Sequence, residues 1–141
     1  MKPQSPPPAK RTRQTLLALC TLLALPALPA LAATPAELLA GYTAAAGAPA
    51  VAARGQAFFT TKHGREWSCS SCHGGTPVQA GRHAGTGKTI EALAPAANAK
   101  RFTDAAKTEK WFRRNCNDVL GRECSAGEKA DVLAWLQTLR P

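Results

Sequence analysis

Cys69-Ser70-Ser71-Cys72-His73 places two thiols and an imidazole within five residues. Two cysteines three apart, followed at once by histidine, form the attachment run of a c-type haem. The thiols add to the two haem vinyl groups as thioethers, and the histidine offers a ring nitrogen to the iron. A structural zinc site needs further ligands at paired spacing, and a thioredoxin-like dithiol needs a sheet to carry it, for which the sequence shows no pattern. The chain has one such run, which predicts one covalent haem c held by Cys69 and Cys72, with His73 as the proximal axial ligand.

The other face of that iron is the open question. Small electron-transfer cytochromes c place a methionine there. The only methionine in this chain is Met1, at the head of a segment that reads as a cleaved leader, so His/Met ligation is excluded by composition. Several donors remain. His63 lies six residues before Cys69 and reads as a solvent-exposed loop side chain close to the attachment point. His83 lies in a glycine-rich stretch and would give a bis-histidine site, whereas Lys88 would first have to lose its proton. The run Gly85 to Thr89 around that lysine also resembles a phosphate loop, but Arg82 stands where the motif needs glycine. Cys116 offers a thiolate unless it is paired. Asn115 offers an amide oxygen, although from pattern alone its plainer reading is a helix-surface or capping residue.

The segments that must position these groups read as helices. Thr34, Pro35 and Glu37 form a capping box with proline at the first helical position, opening a helix that stops at Gly47. Val51, Gly55, Phe58 and Phe59 share one face of a second helix, where Gly55 predicts close helix packing. Residues 74–101 are rich in Gly, Thr, Ala and Pro and read as a long irregular loop with one short turn near Glu91 to Leu93. A haem would give such a loop a surface to wrap. A third helix is expected from a cap at Thr108 to a stop at Gly121, with Trp111, Asn115 and Val119 on its apolar side. Ser125 and Glu128 form a second capping box, followed by a stripe of Val132, Trp135, Leu136 and Leu139, with Arg140 at the negative end of the helix dipole. No alternating strand pattern appears, so the domain reads as all-α.

Residues 1–32 have the order of a secretory signal peptide. Lys2, Lys10, Arg11 and Arg13 precede an apolar run from Leu16, which ends in the small-x-small site Ala30-Leu31-Ala32. Pro26 and Pro29 make that run short and kinked for a membrane span. Cleavage there leaves residues 33–141 as one small exported cytochrome c domain. The leader takes four of the 18 basic residues and none of the nine acidic ones, so the net charge falls from +9 to +5. That excess, without an interleaved aromatic-basic stripe, excludes a nucleic-acid surface and fits a dock for an acidic redox partner. Of the five cysteines, Cys20 leaves with the leader and two belong to the haem run. Cys116 and Cys124 remain as an even pair in an oxidising compartment, which favours a disulfide.

Over nearly all of residues 33–141 the chain resembles the sphaeroides haem protein (SHP) family of oxygen-binding c-type cytochromes. The resemblance is carried by "TPAELLAGYTAAAGAPA", "CSSCHG", "GTGKTIEALAPAAN", "RFTDAAKTEKWFRRNCNDVLGREC" and "GEKADVLAWL", with "RNCN" and the cysteine eight residues on as its most specific parts. It implies a class I cytochrome c fold around one covalent haem. It also implies oxidised iron held by His73 and by the Asn115 side chain as distal ligand, and a Cys116–Cys124 disulfide. It assigns no role to His63, His83 or Trp67. An amide oxygen is a hard, weak donor that suits ferric iron better than ferrous iron. Reduction should therefore loosen Asn115 and free a position for O₂, NO or CO. The implied partners are a dihaem cytochrome c as electron donor and a membrane cytochrome b behind it, in the periplasm. Two rival readings are a plain electron carrier, and an enzyme that reduces O₂ or oxidised nitrogen species or converts NO. No acid–base group is placed by sequence above the iron to favour the enzyme, and Arg113 and Arg114 read as solvated.

Overall fold

The computed structural model describes residues 32–141 together with Met1 and Gln4, so the leader expected over residues 1–32 lies almost wholly outside the described residues. Among the described residues the elements in chain order are α1 Pro35–Ala46, α2 Ala52–Thr60, α3 Ser70–His73, β1 Gly81–Arg82, β2 Thr89–Ile90, α4 Ala105–Leu120 and α5 Ala126–Thr138. The fold is all-α, as expected. One addition lies inside the stretch read as irregular: β1 and β2 pair antiparallel, Gly81 with Ile90 and Arg82 with Thr89. A two-residue strand is too short for alternation to show in sequence. None of the described helices is long and apolar enough to cross a membrane.

Both capping boxes form. The Thr34 hydroxyl accepts the Glu37 N–H at 3.1 Å while the Glu37 carboxylate accepts the Thr34 N–H at 2.7 Å, and Gly47 ends α1 in the left-handed region at φ 64°. Ser125 and Glu128 repeat the exchange at the start of α5. At its other end the Arg140 guanidinium donates to the carbonyls of Gln137 and Leu139, both at 2.8 Å, where the dipole favours a cation.

The core lies where α2 crosses α5. Phe59, Val132, Trp135 and Leu136 form one buried cluster, and Tyr42, Ala130 and Leu133 form a second beneath α1. Gly55 is what lets the helices approach: a Cβ built on it would lie 2.0 Å from the Asp131 carbonyl oxygen. The same Asp131 is a buried carboxylate at the crossing. It accepts the Val51 N–H at 2.7 Å and the Arg54 guanidinium on both oxygens, so its charge is compensated.

The helix carrying Asn115 differs from its expected outline in two ways. It starts earlier, because Asp104 rather than Thr108 is the cap, its carboxylate accepting the Lys107 N–H at 2.9 Å. Thr108 is instead buried one turn inside. The core-facing seam of α4 is Thr108, Phe112, Cys116 and Val119, four and then three residues apart. Trp111 and Asn115 lie on the adjoining stripe and are exposed, Trp111 by 43%. The indole is large enough to mimic a core residue in a pattern search, and Phe112, next in sequence, takes that place. The Phe112 ring meets Tyr42 edge-on at 5.8 Å between centroids, and the Lys129 ammonium reaches Glu109 at 2.7 Å, so α4 is tied to both α1 and α5.

Candidate haem site

The proximal motif folds into a single helical turn. The N–H groups of Cys72 and His73 both donate to the Cys69 carbonyl, at 3.3 and 3.1 Å. Residues three and four apart in such a turn share a side. Ser68 is buried just before it, with its hydroxyl 2.8 Å from that of Ser70 and 3.2 Å from that of Ser71. Gly74 ends the turn at φ 76°. Cys69 and Cys72 are both free and half-buried. Burial pushes the Cys69 thiol up to about 11, so it is protonated at neutral pH. Burial, with the positive charge of Arg101 adding to it, holds His73 down at about 4. The ring is then neutral and has a lone pair to give to a metal. Phe59 from the main core lies 6.1 Å from the His73 ring, so the α2–α5 crossing supports the proximal side directly.

The β1–β2 hairpin presses on that turn. A Cβ built on Gly81 would lie 2.1 Å from the Cys72 carbonyl oxygen and 2.9 Å from the His73 Cα, so only glycine fits this approach. Beyond it, the Ala84 N–H points at the Cys72 sulfur at 3.3 Å. His83, expected as a candidate distal ligand, is committed within the hairpin: its Nδ1 lies 3.1 Å from the Thr86 N–H. Trp67 packs towards the same loop, its ring 3.4 Å from where a Gly85 Cβ would be. Lys88 is exposed. His63 is not the solvated side chain expected. It is half-buried, with Nε2 2.8 Å from the Phe58 carbonyl oxygen and its ring 4.5 Å from that of Phe58. A loop histidine that follows an aromatic helix end by five residues can fold back onto it, which spacing alone does not reveal.

On the other helix, the Cys116 and Cys124 sulfurs are 1.97 Å apart, with the Cα atoms 5.5 Å apart, so Cys116 is placed as a disulfide partner and not as a thiolate donor. Asn115, the residue before it, is exposed. Arg113 and Arg114 are exposed, as expected, with the Arg114 guanidinium over the exposed Trp111 ring at 5.6 Å. Arg65 packs at the left-handed Gly121 that ends α4, its nearest nitrogen 2.6 Å from a built Cβ. The structure thus gathers Cys69, Cys72 and His73 in one turn and pairs Cys116 with Cys124.

The residues present fit haem c. The donor set is two free thiols and a neutral imidazole on one helical turn. Among the described residues, no group of three or more His, Cys, Asp or Glu side chains could hold an ion, so the thiols lack the partners of a four-ligand zinc site. Facing outward on α4, the uncovered Trp111 beside Asn115 offers apolar surface together with an amide oxygen. Two contributors were missed in sequence. Gly81 is one of 11 glycines with nothing local to single it out, and Arg101 acts on His73 across an intervening stretch of 27 residues.

Residues 45–136 match a family described as a domain of unknown function (DUF1924). The chain is 56% identical over 107 residues to the cytochrome c-type protein SHP of Cereibacter sphaeroides, covering 73% of this chain and 82% of that protein. The solved structure of oxidised SHP, described as an oxygen-binding cytochrome c, superposes with a TM-score of 0.72 at 53% identity, over 76% of this chain and 98% of that one. A solution structure of cytochrome c'' from Methylophilus methylotrophus, concerned with haem-ligand detachment in that protein, superposes with a TM-score of 0.67 at 38% identity, over 76% and 94% of the two chains. Identity at this level along the SHP chain, on a helical fold built around the Cys69–His73 turn, places the protein in the SHP family of c-type cytochromes, with haem c as its cofactor.

Proposed function

We propose that the protein is a periplasmic monohaem cytochrome c that accepts an electron and then binds a diatomic gas, O₂, NO or CO, at a position that Asn115 covers only in the oxidised state. The likeness to SHP, an oxygen-binding cytochrome c, is the observation that carries this reading. Haem attached through Cys69 and Cys72 supplies an iron that changes oxidation state and takes the gas. The chain's own residues do the rest. His73 donates its neutral imidazole from a turn braced by Phe59 and Gly81. The Asn115 carboxamide is the distal ligand of the ferric state. Its hard oxygen suits that state and holds poorly once an electron arrives. Because Asn115 is exposed on α4 while Phe112, Cys116 and Val119 anchor the helix, its side chain can leave without disturbing the core. That a relative is known for haem-ligand detachment supports such a release.

The leader over residues 1–32 delivers the domain to the periplasm, where the remaining net charge of +5 suits an acidic donor. We assign that role to a dihaem cytochrome c supplied by a membrane cytochrome b. The test is to mix the dithionite-reduced protein with CO. Gas uptake within the mixing experiment, seen as a shift of the haem absorption band, is expected. An unchanged spectrum would reduce the protein to an electron carrier.

Cys116 and Cys124 bear on the same step. Their bond joins the residue next to Asn115 to the one before the α5 cap, closing a loop eight residues apart in sequence. Such a closure is worth roughly 2.5 kcal/mol of chain entropy. Changing both cysteines to serine is expected to lower stability by about that amount and to speed release of Asn115 from ferric iron, read as a faster cyanide association rate of the oxidised protein. Unaltered cyanide kinetics in the oxidised double variant would separate the disulfide from ligand release.

A further inference from the structure

The two haem-run sulfurs have different surroundings. Cys69 packs against the buried cluster of Phe59, Val132, Trp135 and Leu136. Cys72 lies against the β1–β2 hairpin: the Ala84 N–H donates to its sulfur at 3.3 Å, and Gly81 sits against its carbonyl oxygen and the His73 Cα. Residues 82 and 84–89 of that hairpin are exposed, so the surface is one short loop away from Cys72. The hairpin is also a fixed platform. The His83 N–H donates to the Lys88 carbonyl and the Gly87 N–H to the His83 carbonyl, both at 2.8 Å, and the Arg82 guanidinium donates to the Gly87 carbonyl at 2.9 Å. The Trp67 ring supports it at Gly85.

The charge on this platform has one sign. Residues 67–90 include no Asp or Glu. Their charged side chains, Arg82 and Lys88, are both exposed and belong to no salt bridge among the described residues. Of the acids that flank the stretch, Glu91 has its carboxylate turned to the Asn98 amide at 3.1 Å, and Glu66 is outnumbered by the exposed Lys62 and Arg65. Charge on α4 is mixed instead, with Glu109 and Asp118 interspersed among Lys107, Lys110, Arg113 and Arg114.

We infer, resting on the haem reading above, that the outer face of the β1–β2 hairpin is where electrons enter: Arg82 and Lys88 seat an acidic patch of the donor protein beside the Cys72 thioether. Fixed cations on a protruding hairpin steer an acidic partner to that point during encounter. The step moves one electron from the donor to ferric iron and leaves the thioether unchanged. Its location follows from the asymmetry of the two sulfurs, because the Cys69 side is packed on the core and the Cys72 side borders the exposed hairpin.

The experiment is stopped-flow reduction of the haem-loaded ferric protein by reduced flavodoxin, a small acidic electron carrier, over a range of NaCl concentrations. A neutral flavin semiquinone serves as second reductant, and covalent haem content is measured alongside. Arg82→Glu/Lys88→Glu is expected to slow reduction by flavodoxin about tenfold at low salt. The difference should shrink as salt rises through 0.1 M, where the Debye length is about 10 Å. Reduction by the neutral flavin should stay within about twofold of the parent, because steering acts on charge. Lys107→Glu/Lys110→Glu makes the same charge change on α4 and should slow flavodoxin by less than about threefold. A hairpin variant that reacts with flavodoxin at the parent rate would overturn the inference. So would an α4 variant slowed as much as the hairpin variant, because overall charge would then account for the effect. If the hairpin pair slows both reductants, Lys88→Glu decides, since it leaves the Arg82–Gly87 bond in place. It should be about threefold slower with flavodoxin alone, and a parent rate there would overturn the inference. Lack of covalent haem in the parent chain is a separate result: it would defeat the haem reading and this inference with it.

Discussion

Replacing Asn115 with alanine is expected to raise the affinity of the ferric protein for cyanide by about 10- to 100-fold, the equivalent of losing an internal competitor worth about 1.4–2.8 kcal/mol. The argument runs from donor chemistry. In the proposed function the amide oxygen occupies the distal position only while the iron is ferric, so an external ligand must displace it. Alanine removes that competition, and the ferric absorption spectrum should become high-spin. CO binding to the reduced variant should match the parent, because the side chain has already left in that state. Stability of the reduced variant should be nearly unchanged, within about 0.5 kcal/mol, since Asn115 has left the iron in that state and lies outside the seam of Phe112, Cys116 and Val119, whereas the ferric variant should lose about the 1.4–2.8 kcal/mol of the missing ligand. Cyanide titration, CO titration and a thermal melt check the three parts. A ferric variant with the parent's cyanide affinity would mean that another group holds the distal position.

The second large effect is on folding. Alanine at position 55 has a better helix propensity than glycine by about 1 kcal/mol. By that measure Gly55→Ala should stabilise α2. Packing argues the opposite, and it wins on magnitude. The added methyl would lie 2.0 Å from the Asp131 carbonyl oxygen, 2.3 Å from its carbon and 2.7 Å from the Val132 nitrogen. All three are backbone atoms within α5, so no side-chain rotation relieves the contact. The helices must move apart across the cluster of Phe59, Val132, Trp135 and Leu136, and the Asp131 contacts with Val51 and Arg54 must stretch. The net expectation is a loss of about 3 kcal/mol, at the upper end of overpacking costs. For a domain of this size each kcal/mol moves Tm by about 4–8 °C, so the melt should fall by more than about 10 °C. Haem attachment should fall too, because Phe59 lies against His73. A variant as stable as the parent would show that the α2–α5 crossing is looser than its geometry implies.

What could be read before the fold was known follows a physical division. Interactions within a few residues left a mark in the sequence. Both capping boxes, the left-handed stop at Gly47 and the haem run are each set by neighbours three or four positions apart. Gly55 was legible as a packing glycine because it interrupts an apolar helical face. The cap of α4 was not, because Asp104 precedes Ala105 and Ala106 with no periodic signal, and Thr108 imitates a cap from inside the helix. Trp111 was placed on the apolar side by its four-residue spacing with Asn115 and Val119, whereas Phe112 fills that place in the core. His63 turned back onto Phe58, and Gly81 met Cys72, through chain reversals that no local pattern encodes. Arg101 is the extreme case, since its effect on His73 exists only once the loop from Pro77 to Phe102 has closed. The motif chemistry was thus visible from the start, and the groups that tune it were not.

The central claim is tested most directly by recording electron spin resonance and optical spectra of the untreated protein in both oxidation states, without added gas. A distal amide that holds ferric iron and releases ferrous iron predicts a six-coordinate ferric centre and a five-coordinate, high-spin ferrous one. A six-coordinate, low-spin ferrous spectrum would contradict it, because a ligand that stays bound through reduction leaves no place for a gas.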